Sequence, residues 1–488
     1  MERKLNQQIS IKSFTFLFLA FTVSFYSCST GRKNIENNTL NKGTLKPWSE
    51  NPRYWEYKGE PVLLLGGSKD DNLFQIANLE EHLDDLQATG GNYIRNTLSA
   101  RDSGNIMRFL IQPDGLYDLE KWNPEYWERF ENMLALTSAR DIIVQLEIWD
   151  RFDYSREEWK ESPWKPENNI NYTEEATGLA KEYPNHPGKN EQPFFYSIPG
   201  MSKYSEKLDV VRFFQKKYID KLLSHTLKYG NVLYCMDNET GTPPEWGRYW
   251  MAYIDSVAMA NDKEIYLTDM FDQFFSPQKC PSCIEVLEKA DLYTFIDISQ
   301  INSRNFNQGH WDTLQWILNE RDKHPLRPVN NTKIYGGENS SWGSGSNKDG
   351  VERFCRNVIG GCASVRHHRP NHGNGLNEKA QASIKAIRKV ETLVKLWEVT
   401  PRMDLLSERE DNEAYLAALE GEKYILYFTQ GGEVKLDLSP HDKQFTLNWV
   451  SVDSGEWGEE FELEGGSPVE LSAPDQGGWF AVLRPLNL

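Results

Sequence analysis

Val232-Leu233-Tyr234-Cys235-Met236-Asp237-Asn238-Glu239 is a short apolar run that closes on three polar residues. A stretch of helical period, 210–229, precedes it and another, 245–259, follows. A run of this kind between two amphipathic stretches fits a buried strand of a parallel sheet with crossover helices. Working outward, the same alternation recurs along the chain. Candidate strands fall at 62–67, 93–98, 142–148, 232–237, 265–270, 293–299, 334–337 and 363–367. Candidate helices fall at 78–89, 125–140, 210–229, 245–259, 284–290, 311–323, 351–359 and 379–398. Eight strand–helix repeats predict an α/β fold, a (β/α)8 TIM barrel over 47–400, whose span without one insertion is close to the ~250 residues usual for it. A doubly wound open sheet is the alternative, weakened because no glycine-rich dinucleotide fingerprint follows the first strand.

The insertion, 151–208, comes after the third strand and is rich in Trp, Tyr, Pro and Asn. It either builds a substrate cleft, as long loops at C-terminal strand ends do, or packs on its own aromatics. After residue 400 the period changes to alternation, with Gly431-Gly432, Ser454-Gly455 and Gly477-Gly478 as turns, so 401–488 reads as a small antiparallel β-sandwich. Its aromatics could bind carbohydrate or pack on the barrel.

The 488 residues carry a formal charge of −18, which disfavours nucleic acid as a partner. A basic start (Arg3, Lys4, Lys12) and an apolar run from Phe14 to Tyr26 predict a signal peptide over 1–27 and export. Phe25-Tyr26-Ser27-Cys28 resembles a lipobox, which implies lipidation of Cys28 and a polar tether over 28–46. The expected location is therefore a membrane-anchored lipoprotein, of the outer membrane, on a side the sequence leaves open. Cys280-Pro-Ser-Cys283 reads as a local disulfide or two plain thiols, since no second pair completes a zinc site. Nothing in the sequence calls for a metal, a cofactor or a protein partner.

In this fold catalytic groups sit at C-terminal strand ends. Two carboxylates stand there: Glu239 after the fourth strand and Glu338, 99 residues on, after the seventh, in Tyr335-Gly336-Gly337-Glu338-Asn339. Strands four and seven face each other across a closed barrel. Two carboxylates about 5 Å apart suit a retaining glycosidase, in which one protonates the leaving oxygen and the other attacks the anomeric carbon. A general acid of this kind needs a raised pKa, which is the expectation for Glu239.

Asn-Glu at the fourth strand end and a second Glu at the seventh resemble the large clan of retaining (β/α)8 glycoside hydrolases. The resemblance implies that Glu239 is the acid/base, Asn238 the residue holding the sugar 2-hydroxyl and Glu338 the nucleophile. It also implies that Arg95, ending the second strand, orients the nucleophile. The opening Pro61-Val62-Leu63-Leu64-Leu65-Gly66-Gly67-Ser68, the barrel, and a C-terminal module with Gly431-Gly432-Glu433-Val434-Lys435-Leu436-Asp437-Leu438 and Gly478-Trp479-Phe480 resemble apiosidase-like proteins with a domain of collagen-binding type. Many of those are lipoproteins of polysaccharide-degrading bacteria. Asp237-Asn238-Glu239 follows the broad clan rather than the apiosidases.

The eighth strand ends in Val365-Arg366-His367-His368-Arg369-Pro370. Adjacent histidines on a strand face opposite ways and do not share a metal. With Arg95 and Arg101, His367 or His368 and Arg369 could form a subsite for an anionic sugar; alternatively Arg369 pairs with the carboxylates. Trp342, four residues after Glu338, is a candidate stacking platform for sugar, or a packing residue. Carbohydrate is thus the expected partner. A barrel that binds sugar without cleaving it and a polysaccharide lyase are the competing readings.

Overall fold

The computed structural model describes residues 43–239, 241, 243–338 and 341–486. The expected signal peptide, Cys28 and nearly all of the tether lie outside them. Eight parallel strands form the barrel: β1 (Leu64–Gly67), β2 (Tyr93–Thr97), β3 (Ile143–Asp150), β4 (Val232–Asn238), β5 (Leu267–Thr268), β6 (Ile296–Asp297), β7 (Val329–Ile334) and β8 (Ser364–His367). The longer helices between and after them are α1 (Leu79–Ala88), α2 (Pro124–Ala139), α3 (Asp209–Thr226), α4 (Glu245–Ala260), α5 (Pro281–Glu288), α6 (Asn307–Arg321), α7 (Asn347–Gly360) and α8 (Glu378–Leu393), and the insertion adds two short ones, Arg156–Glu161 and Glu174–Thr177. The strand order runs β5-β4-β3-β2-β1-β8-β7-β6, the circular order of a TIM barrel. This order excludes the doubly wound alternative.

The ring closes at a narrow seam. The Thr294 N–H, just before β6, donates to the Leu267 carbonyl of β5 at 2.9 Å, and the Leu267 N–H donates to Thr294 Oγ1 at 2.7 Å. Below the seam Trp55, on an antiparallel strand ahead of the barrel, packs edge-on against Tyr266 and Phe295. Its indole donates to Asn330 Oδ1 at 3.0 Å, so the N-terminal end of the barrel is plugged.

The barrel interior is polar and extensively hydrogen-bonded. Tyr93 donates to Gln145, Gln145 donates to Asp297, and Thr332 donates to Asp297, all buried and at 2.6–2.8 Å. Buried polar groups are tolerated only when paired in this way. Gly66 is required by close approach, because a Cβ there would lie 1.8 Å from the Tyr93 carbonyl oxygen.

β7 differs from its expected position. The expected strand, 334–337, begins where the observed one ends, because Asn330-Asn331-Thr332 is a sequence that strands disfavour and the barrel interior accepts. The β7–β8 register also shifts between Asn331 and Ile334, a bulge. Asn331 turns outward to Asn357 of α7, Thr332 turns inward to Asp297, and the bulge lets Lys333 turn inward as well.

Nine further strands form the C-terminal sandwich: β9 (Thr400–Pro401), β10 (Leu406–Ser407), β11 (Ala414–Leu419), β12 (Lys423–Phe428), β13 (Glu433–Asp437), β14 (Gln444–Ser451), β15 (Trp457–Glu464), β16 (Pro468–Ser472) and β17 (Trp479–Pro485). A six-stranded sheet, β9-β11-β12-β17-β14-β15, faces a three-stranded one, β10-β13-β16. Alternation divides β11 between two cores: Leu416 and Ala418 fill the sandwich, and Tyr415 and Ala417 join the barrel's apolar cluster. Phe480 of β17 joins the barrel cluster too, so this aromatic of the sandwich packs on the barrel.

Candidate active site

The β4 chain leaves the barrel through a sharp turn. Glu239 has φ 58°, a left-handed conformation that a non-glycine residue adopts at a cost. The turn aims its carboxylate into an open cleft of about 740 Å³ above the barrel's C-terminal end. Lys333 donates to Glu239 Oε1 at 2.6 Å, Gln300 donates to the same oxygen at 3.1 Å, and the Tyr335 hydroxyl stands 3.5 Å from it. All three converge on Oε1, which leaves Oε2 without a partner among the described residues. Burial pushes this carboxyl up, but the Lys333 charge and the Lys333 and Gln300 hydrogen bonds outweigh it and hold Glu239 below its ordinary range. The expectation of a raised pKa at Glu239 is therefore overturned: in this structure the group is ionised at neutral pH.

Asn238 is held from three sides. Its Oδ1 accepts from Arg95 at 3.1 Å and from Lys333, and its amide donates to Asp150 at 2.9 Å, with no partner for the second N–H among the described residues. Arg95 makes two bonds to Glu147 and one to Asp71, each 2.5 Å. Arg95 thus reaches Asn238 and makes no hydrogen bond or ion pair with Glu338 among the described residues.

Glu338 is exposed, four residues beyond the end of β7, and does not line the cleft. The expected pairing of Glu239 and Glu338 across the barrel rested on a strand ending at 337, and the true end is Ile334. Trp342, on the same loop, does line the cleft, is 57% exposed and stacks on His372.

The two histidines of β8 part company. His368 lines the cleft, with Nδ1 3.9 Å from Asp71. His367 lies on the opposite face, stacked on Phe354 of α7 and hydrogen-bonded to Ser383 of α8, so the expectation that it binds substrate is corrected. Arg369 pairs with Asp71 at 3.0 Å and Asp102 at 3.4 Å, and Arg101 pairs with Asp150. The cations expected to receive an anionic sugar are thus already engaged by carboxylates.

Asp272 is a cleft residue that the sequence reading passed over. It follows β5 by four residues and lines the same cleft as Glu239. Burial, then the nearby Glu239 charge, push its carboxyl up to about 7. The signal was present: it is a carboxylate just past a barrel strand, as Glu239 is.

The insertion divides unevenly. Trp159, Trp164, Phe194, Phe195 and Tyr196 are buried, and Phe194 packs edge to face with both Trp149 and Trp164. Phe152, Arg156, Glu158 and His186 reach the cleft. Cys280 and Cys283 form a disulfide at the start of α5. Among the described residues no group of three or more His, Cys, Asp or Glu side chains is placed to hold a metal ion.

Comparison with known proteins supports the fold. Residues 113–288 match the model of DUF6298, a domain of unknown function. That stretch includes Asn238, Glu239 and Asp272 and stops short of Glu338. A glycoside hydrolase family 5 protein from Bacteroides vulgatus ATCC 8482 superposes with a TM-score of 0.61 at 13% identity, covering 91% of this chain and 94% of its own. A second structure, described as a glycoside hydrolase, gives 0.59 at 12% identity, covering 92% and 98%. The chain shares their fold over about nine-tenths of its length. No significant match was found among curated proteins.

Proposed function

We propose that this chain is a glycoside hydrolase that cleaves an O-glycosidic bond of a polysaccharide or oligosaccharide, with Glu239 as one of two reacting carboxylates. The observation that carries the reading is the ionised Glu239 carboxylate, aimed from the end of β4 into the open cleft with Oε2 unpartnered among the described residues. The glycoside hydrolases that share the fold support it. Glycosidic cleavage needs a second carboxyl that holds a proton. Asp272 fits that need, because a pKa of about 7 keeps it substantially protonated near neutrality.

In this assignment Asp272 gives its proton to the departing oxygen as the anomeric C–O bond breaks. Glu239 either bonds to the anomeric carbon or takes a proton from the attacking water. Separations of roughly 5–5.5 Å favour the first course, with retention, and roughly 6.5–9.5 Å the second, with inversion. If Glu239 bonds to carbon, water then releases the sugar, deprotonated by the Asp272 carboxylate, and both groups return to their starting states.

A second reading keeps Glu338 as the nucleophile and Glu239 as the acid/base, as the clan resemblance implies. It is favoured by the loop itself, since Tyr335 and Trp342, on either side of Glu338, both line the cleft. The test has two stages. Incubation with a panel of plant and algal polysaccharides, read by product mass, identifies a substrate; if nothing in a broad panel is cleaved, the hydrolase reading falls. A 2-fluoro glycoside of the released sugar is then used to trap a covalent intermediate. Label on Glu239 supports the first reading with retention, label on Glu338 supports the second, and an inverted product without label supports the first with inversion. An unsaturated product would indicate a lyase instead. The proposal extends to location: lipidation at Cys28 would tether the enzyme to a membrane, and Cys28→Ser should move it to the soluble fraction.

A further inference from the structure

The cleft's charge runs against that of the chain. In a protein of net charge −18, seven Lys and Arg side chains line the cleft against four carboxylates. Four of the seven are pinned: Arg95 by Glu147 and Asp71, Arg101 by Asp150 and Asp153, Lys333 by Glu239, and Arg369 by Asp71 and Asp102. The other three, Arg156, Lys279 and Arg304, are exposed and have no ion pair among the described residues.

These three come from different βα segments, Arg156 from the insertion after β3, Lys279 from the segment between β5 and α5, and Arg304 from the segment between β6 and α6. Two lie over aromatic rings that also line the cleft: Arg156 is 5.7 Å from the Phe152 ring and Lys279 is 4.9 Å from the Phe274 ring. A ring contact orients a cation while leaving its N–H groups free to donate. Arg304 is fixed by its backbone N–H, which donates to the Gly343 carbonyl beside Trp342 at 2.8 Å. Two of the cleft's carboxylates, Glu158 and Asp272, form no ion pair among the described residues, and two do not offset three cations.

Three unpaired cations around one cleft repel each other, and a neutral sugar does nothing to relieve them, whereas an anionic one does. We infer that the substrate is an anionic saccharide, carrying carboxylate or sulfate groups, gripped at the cleft mouth by Arg156, Lys279 and Arg304. The inference rests on the glycoside-hydrolase reading of the same cleft, and it moves the anionic subsite from Arg369 and His368 to the rim.

The experiment uses the mature chain carrying Glu239→Gln, so that binding is read without turnover. Polygalacturonate, a sulfated carrageenan and a neutral galactan are compared by affinity electrophoresis and calorimetry at low and high salt. At least one anionic polymer should bind about tenfold or more tighter than the neutral one, and should weaken as salt rises. Which polymer binds separates carboxylate from sulfate. Adding Arg156→Gln, Lys279→Gln and Arg304→Gln together should reduce the preference for the anionic polymer to about twofold or less, at an unchanged thermal midpoint. Equal binding of the neutral polymer, a preference that survives the triple change, or no binding of either anionic polymer would overturn the inference. Cleavage by the parent chain reports separately on the hydrolase reading. Selective binding of a polyanion without cleavage of any polymer sinks that reading alone, and cleavage without charge preference sinks this inference alone.

Discussion

Lys333 lies 2.6 Å from the carboxylate of Glu239, and it reaches there from a strand position that an unbroken ladder would turn toward the helices. The bulge in β7 and the left-handed turn after β4 are two local departures from regular backbone that serve one contact. Together they keep a half-buried carboxylate ionised beside an acid held at about 7.

The contact is open to direct test. Lys333→Met removes the charge that lowers the Glu239 pKa, so the acidic limb of kcat/KM should move to higher pH. At neutral pH kcat/KM should fall roughly tenfold to a hundredfold, the usual scale of losing a group that sets a catalytic protonation state. A pH–rate profile of parent and variant settles it; an unmoved acidic limb would place the role of Lys333 elsewhere.

Asp272→Asn should lower kcat on natural glycosides by about a hundredfold or more, and should spare substrates with a good leaving group, which need no proton. The basic limb near pH 7 should vanish with it. Glu338→Gln, measured alongside, should leave the basic limb in place. If Glu338→Gln abolishes turnover and Asp272→Asn does not, the nucleophile is Glu338.

Three buried or half-buried acids hold protons that the unfolded chain releases. Burial above all raises Asp153 to about 7, Asp269 to about 8 and Asp272 to about 7. Between the ordinary carboxylate range and these values the unfolded chain binds fewer protons than the folded one, so stability falls as pH rises. Glu239 acts in the opposite sense, stabilising above its ordinary pKa and losing that contribution on acidification. Thermal melts should therefore show a midpoint declining from pH 5 toward pH 8, and Asp269→Asn should flatten the decline. A midpoint that rises across this range would contradict the assignment.

Arg95 anchors the floor of the cleft, since it satisfies Glu147 and Asp71 at once and steadies Asn238. Arg95→Met leaves the buried Glu147 without an ion-pair partner and Asp71 with Arg369 alone, a change that costs about 3–5 kcal/mol of stability. Denaturant unfolding measures the loss. Glu147→Gln on the Arg95→Met background should recover part of it.

The barrel was legible because its apolar strands and amphipathic helices have different periods. The α4 expectation, 245–259, falls one residue short of Glu245–Ala260, and β2 and β4 are displaced by only a residue. β7 was misplaced for a physical reason: Asn330, Asn331 and Thr332 are buried against other polar groups, a circumstance that only the closed barrel creates. That difference moved the strand end away from Glu338 and hid Lys333. The opposite facing of His367 and His368 followed from strand alternation, yet alternation alone does not say which of the two faces the cleft. Asp272 escaped because β5 has only two residues, so its end could not be located within the apolar stretch 265–270.

The seam between β5 and β6 gives the molecule a grain. Two two-residue strands meet there through Leu267 and Thr294, whereas β3 and β4 are paired along their whole length. Asp272 and Lys279 follow β5, Gln300 and Arg304 follow β6, and all four reach the cleft. The stretch of cleft wall that carries these four residues is thus hung on the least-laced part of the ring, and Glu239 follows the neighbouring β4, which is heavily laced to β3.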